Sequence, residues 1–216
     1  MFNIRAKLLN EIKSMSLLNI VDERYLKSDN EENEKMGVTI KKFTEEDLDY
    51  SVIINDRFTV ESILLLTATE HSIQYTVKKV RPYEKQYSDD PDDLLCLQEY
   101  IDHPDQALFL AIEGNDIVGL VIVRRNWNEF AYIEDIKVAQ KYRRHGIGRL
   151  LMDKVKNWAQ DNRMAGMMLE TQNNNVGACK FYERYGFFIG GFDKYVYKGI
   201  NQLSDEIAIY WYFTFE

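Results

Sequence analysis

The chain has 216 residues, 45% hydrophobic and 29% charged, which is the composition of an ordinary soluble globular protein with one well-buried core. Its formal net charge of -8 excludes nucleic-acid binding through overall charge and suits a cationic small-molecule partner. Two cysteines, Cys96 and Cys179, without metal or redox spacing read as free thiols of a reducing cytosol. No apolar run approaches the ~20 residues of a membrane span, and the N-terminus lacks the continuous apolar stretch of a secretory signal. The expectation is a cytoplasmic protein with neither a nucleic-acid nor a membrane partner.

In chain order, residues 1–36 read as an N-terminal extension. Leu8, Leu9, Ile12 and Met15 share one face of a short amphipathic helix over 4–20, and Ser28 to Lys35 is too polar to pack, so it reads as a linker. Residues 37–216 then form the domain proper. Val38 and Ile40 alternate in a first strand, and Thr44 is an N-cap with Asp47 at the capping-box position. Two apolar stretches, 51–58 and 62–80, are harder to type, although Ile73, Tyr75, Val77 and Val80 point to a strand in the second. Tyr87 to Asp93 is an acidic loop able to steer a cation, and Leu94 to His103 reads as a short helix stopped by Pro104.

The second half has stronger signals. Residues 107–112 and 117–123 form a hairpin across Glu113-Gly114-Asn115-Asp116, and Phe130 to Val138 is a further strand. Ile147, Leu150, Leu151, Val155, Trp158 and Ala159 recur at helical spacing, which predicts a helix over 146–162. A strand over 166–171, a helix over 175–185 ended by Gly186, and a strand over 207–215 complete the order. This succession predicts a mixed α/β sheet with helices on its faces and a parallel crossover from Ile133 to Thr171. The aromatic residues of the last strand, Tyr210 to Phe215, look exposed and admit a homodimer.

Arg143-x-x-Gly146-x-Gly148 lies between a strand and a helix. Glycines there leave backbone N–H groups open to an anion, and the helix N-terminus adds about half a positive charge. Arg143, Arg144 and His145 add side-chain charge around the same spot. The absence of Gly-Lys-Ser/Thr excludes a P-loop, and Leu151 and the missing glycines exclude the dinucleotide fingerprint.

The run from Val138 through Arg143, Arg144, Gly146 and Gly148 resembles motif A of the GCN5-related N-acetyltransferases. Asn175, Ala178, Phe181, Tyr182, Glu183, Gly186 and Phe187 resemble that family's motif B at its usual separation. A narrower resemblance, to streptothricin acetyltransferases, is carried by three segments. These are Arg125-Asn126-Trp127-Asn128, Ala131-Tyr132-Ile133-Glu134-Asp135-Ile136, and Leu169 to Asn175 followed by Ala178-Cys179-Lys180-Phe181-Tyr182. Those enzymes acetylate an amine in the β-lysine part of the antibiotic.

The resemblance implies a central mixed, largely antiparallel sheet with splayed parallel strands and helices on both faces, and acetyl-CoA as co-substrate without a metal. It places the backbones of Ile136 and Val138 along the pantetheine arm, the turn Arg143, Arg144, His145, Gly146, Ile147 and Gly148 on the pyrophosphate, and Asn175 near the cofactor. It makes Tyr182 the acid that protonates the departing thiolate. Glu134 and Asp135 would meet the cationic acceptor, with Glu134 the base candidate. As neighbours on a strand they point to opposite faces unless the strand bulges. Glu170 is a further acidic candidate for the acceptor, and Trp127 would either wall the acceptor site or sit in the core. His71, His103 and His145 have no ligand spacing, so no metal is expected.

Overall fold

The computed structural model describes residues 37–48, 54–55, 57–86, 97–199, 201–202 and 204–215. The expected N-terminal helix and linker, the acidic loop at 87–93 and Cys96 lie outside the described residues. Val38–Glu216 forms one compact unit. Its strands are β1 (Val38–Lys42), β2 (Phe58–Ala68), β3 (Ile73–Lys85), β4 (Gln106–Glu113), β5 (Asp116–Arg125), β6 (Phe130–Val138), β7 (Gly166–Gln172), β8 (Phe188–Asp193) and β9 (Ala208–Thr214). Helix α1 is Ile147–Asp161 and α2 is Val176–Tyr185.

Seven strands form one sheet in the order β1-β4-β5-β6-β7-β9-β8, and β2 and β3 form a separate two-stranded sheet. Every pair is antiparallel except β6 and β7, which α1 joins as the expected parallel crossover. Ile147, Leu151, Met152, Val155 and Ala159 of α1 are almost fully buried, each worth roughly 1.5–3 kcal/mol for the larger side chains. That burial fixes where the helix N-terminus points. Lys156 of α1 lies over the Phe213 ring, and Tyr182 of α2 packs on Trp211, so both helices cover the same face. The opposite face is closed around Phe43, Leu108, Leu110 and Leu120, with Leu97, Tyr100 and Ile101 packed against them.

The structure differs from the sequence reading at four places. The untyped stretch is the β2–β3 hairpin, whose turn is held by Thr69 N–H donating to the Ser72 carbonyl (2.8 Å), with no glycine to announce it. Of the helix expected over 94–103, residues 97–100 form a 3-10 turn and 101–103 are not helical, while 94–96 lie outside the described residues. Strand β8 hides its signal in Gly190 and Gly191, and a Cβ at Gly190 would stand 2.4 Å from the Tyr212 ring. The last strand, β9, runs between β7 and β8, so both its edges are paired, and Trp211 is 1% exposed while Tyr210, Tyr212 and Phe213 are half-buried. At Thr44 the reciprocal half of the capping box is present, with its N–H donating to the Asp47 carboxylate (3.0 Å).

Candidate active site

Strands β6 and β7 pair only from Phe130 with Gly166 to Ile133 with Leu169. Beyond that point β7 stays with β9 as far as Gln172, while β6 stays with β5 as far as Val138. The two strands therefore fork, and the fork opens toward the turn that precedes α1. A bulge starts the divergence: Val123 opposes Ile133 and Ile122 opposes Asp135, which leaves Glu134 as the extra residue. Bulges bend a strand and re-aim a side chain, and this one removes the objection that Glu134 and Asp135 must face apart.

Past the bulge the alternation is regular. Ala139 N–H bonds back to the Val118 carbonyl (2.9 Å), so the backbone groups of Val138 and Ile136 turn to the open side of the fork. That is where the resemblance puts the pantetheine arm. A free strand edge of this kind accepts an extended amide chain by β-augmentation.

The turn at the mouth of the fork has two left-handed residues, Arg144 (φ 70°) and Gly146 (φ 86°). Glycine adopts that region freely, while Arg144 does so at a cost of about 1–2 kcal/mol. Alternation of this kind turns successive N–H groups to one side as an anion cradle. Gly146 is the N-cap of α1, and the first turn of α1 carries no acidic residue to cancel its dipole. Arg144 and His145 are exposed and free to approach a phosphate. Arg143 is engaged in bracing the turn, with Nε donating to the Val138 carbonyl (3.0 Å) and a guanidinium NH to the Arg57 carbonyl (3.0 Å). Ile147 is buried as a core anchor. The missing side chain of Gly148 faces α2: a Cβ there would lie 3.3 Å from Phe181 Cζ.

At the crotch of the fork stand Glu134 and Glu170, each one residue past the last paired position. Glu134 Oε1 accepts from Arg124 Nε at 2.6 Å, and the Arg124 guanidinium lies over the Tyr132 ring at 4.9 Å. Asp135 pairs with Lys137 at 3.1 Å. Glu170 accepts from the Tyr197 hydroxyl. Burial pushes the Glu170 carboxyl above its ordinary range, and the Tyr197 bond only partly offsets that. Burial also raises the phenol of Tyr132, with the charge of nearby Glu170 adding to the effect, and raises that of Tyr210 in the same way.

Thr171, next on β7, points the other way, to Cys179 of α2 and the Trp211 indole. Tyr182 belongs to that side too. It is 6% exposed, among Phe181, Phe187 and Trp211. The fork thus has the carboxylate face on one side of β7 and Tyr182 on the other. Asn175 caps α2, its side chain accepting from Ala178 N–H at 3.2 Å. Cys179 is buried, and its thiol is pushed up to about 11 by burial; a thiol so held is almost wholly protonated at neutral pH and is a poor nucleophile.

Trp127 is the outlier. It is 90% exposed in the β5–β6 turn, which rules out the core and leaves it at the far end of β6 from the fork. Residues the sequence reading passed over are Arg124, Tyr197 and Tyr210, and Tyr132 as a site residue. For Arg124, Tyr132 and Tyr210 the signal was a polar or phenolic side chain on one face of otherwise apolar strands; Tyr197, in the 3-10 turn Val196–Gly199, had none. The β2–β3 hairpin also comes close, since Leu64 N–H bonds to the Asn173 carbonyl (2.9 Å) just after β7, and Lys85 reaches Gln172 (2.5 Å) and Glu206.

A splayed parallel pair meeting an anion-binding helix N-terminus defines a class of acyltransferase. A model of the acetyltransferase (GNAT) family matches residues 74–187, more than half of the chain, and the protein belongs to that family. It is accordingly an acetyltransferase with acetyl-CoA as co-substrate. Within the family it is similar to streptothricin acetyltransferase A of Bacillus subtilis (strain 168), 40% identical over 153 residues that cover 70% of this chain and 86% of the relative. The Escherichia coli streptothricin acetyltransferase is 34% identical over 73% of this chain and 85% of its own length. Among solved structures, a Bacillus anthracis str. Ames protein assigned as a streptothricin acetyltransferase, in complex with acetyl coenzyme A, superposes with a TM-score of 0.76 at 47% identity, covering 84% of this chain and 99% of that one. A nourseothricin acetyltransferase superposes with a TM-score of 0.67 at 28% identity, covering 82% and 98%.

Proposed function

We propose that the protein transfers the acetyl group of acetyl-CoA to an amine in the β-lysine part of streptothricin, and so confers resistance to it. The observation that carries the reading is the fork between β6 and β7, with two glutamates at its crotch and the anion turn at its mouth. A fork lined on one edge by free backbone groups suits the pantetheine arm, and carboxylates at its crotch suit a cationic acceptor. The similarity to streptothricin acetyltransferases over more than two thirds of the chain supports the choice of acceptor.

Transfer proceeds directly within a ternary complex. The turn from Arg143 to Gly148 receives the pyrophosphate, with Arg144, His145 and the amides of Gly146, Ile147 and Gly148 as its donors. Ile136 and Val138 pair with the pantetheine amides and so place the thioester at the crotch. Acidic groups there attract the ammonium and relieve it of a proton. The neutral amine then attacks the carbonyl carbon; the C–N bond forms and the C–S bond breaks. Tyr182 protonates the departing thiolate, a role suited to a phenol with an ordinary pKa near 10. The buried, protonated thiol of Cys179 favours this direct route over an acetyl-cysteine intermediate. Its need for acetyl-CoA supports a cytoplasmic location.

The test is a steady-state assay with acetyl-CoA against streptothricin, spermidine, an aminoglycoside and lysine. Selective turnover of streptothricin is the expected result. Preferred turnover of another amine would overturn the acceptor, and turnover of none would overturn catalysis in favour of an acetyl-CoA sensor.

A further inference from the structure

At the crotch of the fork, Glu170 has no counter-charge among the described residues. Arg124 engages Glu134, and Lys137 engages Asp135. Among the described residues no lysine, arginine or histidine pairs with Glu170, and its hydrogen-bond partner is the neutral phenol of Tyr197. A half-buried carboxylate without a cation is costly to keep ionised. Structures retain such groups where a ligand supplies the missing charge or a proton must be taken up. The surroundings favour an ammonium ligand. The Tyr197 hydroxyl, from the β8–β9 connection, bonds to Glu170, and Tyr132 of β6 and Tyr210 of β9 lie near enough to feel its charge; aromatic side chains of this kind attract organic cations.

We propose that Glu170 seats the reacting ammonium of the acceptor and takes its proton, and that Tyr197 is a positioning residue that aims the Glu170 carboxylate into the fork. This deepens the amine-acetyltransferase reading and rests on it. The ammonium gives one proton to Glu170, and its nitrogen then attacks the thioester. The C–S bond breaks as the C–N bond forms. The thiolate takes its proton from Tyr182, and the second amine proton returns to the Tyr182 phenolate through water. The net products are the amide, CoA thiol and the one proton that Glu170 passes to solvent.

Glu134 is less free for this task because Arg124 already occupies Oε1 and the Tyr100 hydroxyl lies 3.4 Å from Oε2. The charged groups that share the face are Arg124 and Glu134 through Tyr132, and Asp193 through Tyr210. Glu170 is an active base only when ionised, so turnover falls as pH drops through its raised pKa. Tyr197 donates to the ionised form and lowers that pKa. Its loss leaves burial unopposed and moves the acid limb of the rate profile to higher pH.

The test uses the full chain with Glu170→Gln and Tyr197→Phe, both near-isosteric. For the amine that the wild type turns over, kcat/KM against pH is measured, with acetyl-CoA affinity by calorimetry alongside. Glu170→Gln is expected to lose about 10²–10⁴-fold in kcat/KM for the amine, with acetyl-CoA affinity within threefold of wild type. Tyr197→Phe is expected to shift the acid limb upward while keeping most of the plateau rate. Glu170→Gln within threefold of wild type, or a limb that stays in place in Tyr197→Phe, overturns the proposal while leaving amine acetylation intact. A wild type that acetylates no amine would instead overturn the function on which it rests.

Discussion

Gly148 can be tested for why it is a glycine at all. Replacing it with alanine builds a Cβ 3.3 Å from Phe181 Cζ, which must give by a few tenths of an ångström, with Cε2 in ordinary contact at 3.5 Å. Alanine gains at most about 1 kcal/mol over glycine in a helix, and overpacking costs about 1–3 kcal/mol. Gly148→Ala should therefore lose roughly 0–2 kcal/mol, a fall in Tm of up to about 8 °C for a domain of this size. Phe181→Leu alone gives up ring contacts to Tyr182 (centroids 5.3 Å) and Tyr185 (6.5 Å), about 1–2 kcal/mol. Combined, the two changes should couple favourably by about 1–2 kcal/mol, because the leucine vacates the space the new Cβ needs. Urea titrations of the four proteins measure the cycle, and calorimetry follows acetyl-CoA affinity. Strict additivity would refute the contact. So would a Gly148→Ala protein of unchanged stability that binds acetyl-CoA more than tenfold more weakly, since the missing Cβ would then face the ligand and not α2.

Two further outcomes follow from the geometry. Tyr182→Phe should lower turnover by about 10²–10⁴-fold while acetyl-CoA affinity stays within threefold; unchanged turnover would remove the phenol from the mechanism. Asp47 is fully buried beside Lys41 (2.5 Å) and Thr44. Burial works against its charge, but the bonds from Lys41 and Thr44 outweigh this and hold its carboxyl below the ordinary value. Its contribution is present above the unfolded-state pKa near 3.9 and is lost as pH falls through the lower folded value. Asp47→Asn should cost about 1–3 kcal/mol at neutral pH, and the gap to wild type should narrow below about pH 4 in acid-unfolding curves.

Much of the site was legible because its signals are local. The glycine spacing after Val138, the apolar stripe of α1 and the Phe181-Tyr182 pair depend on turn geometry and helical period, which neighbouring residues impose on each other. The β5–β6 strands and the parallel crossover came from the same kind of evidence. Where the signal was weak, the structure had closed a turn by hydrogen bonds between Thr69 and Ser72 instead of a glycine, or buried a strand signal under paired glycines, as in β8.

What the sequence determined was the class of chemistry: an anion turn on a helix start, a second helix carrying Tyr182, and acidic residues on the strands between them. Tertiary structure decided how those parts are used. The bulge at Glu134 bends β6 away from β7, and pairing with β9 keeps β7 from following, so the fork exists only once three distant segments have assembled. The same assembly commits Arg143 to backbone carbonyls, turns Gly148 toward α2 and brings Tyr197 onto Glu170. Bulges, pairing partners and burial depend on residues far apart in the chain, and no local period encodes them.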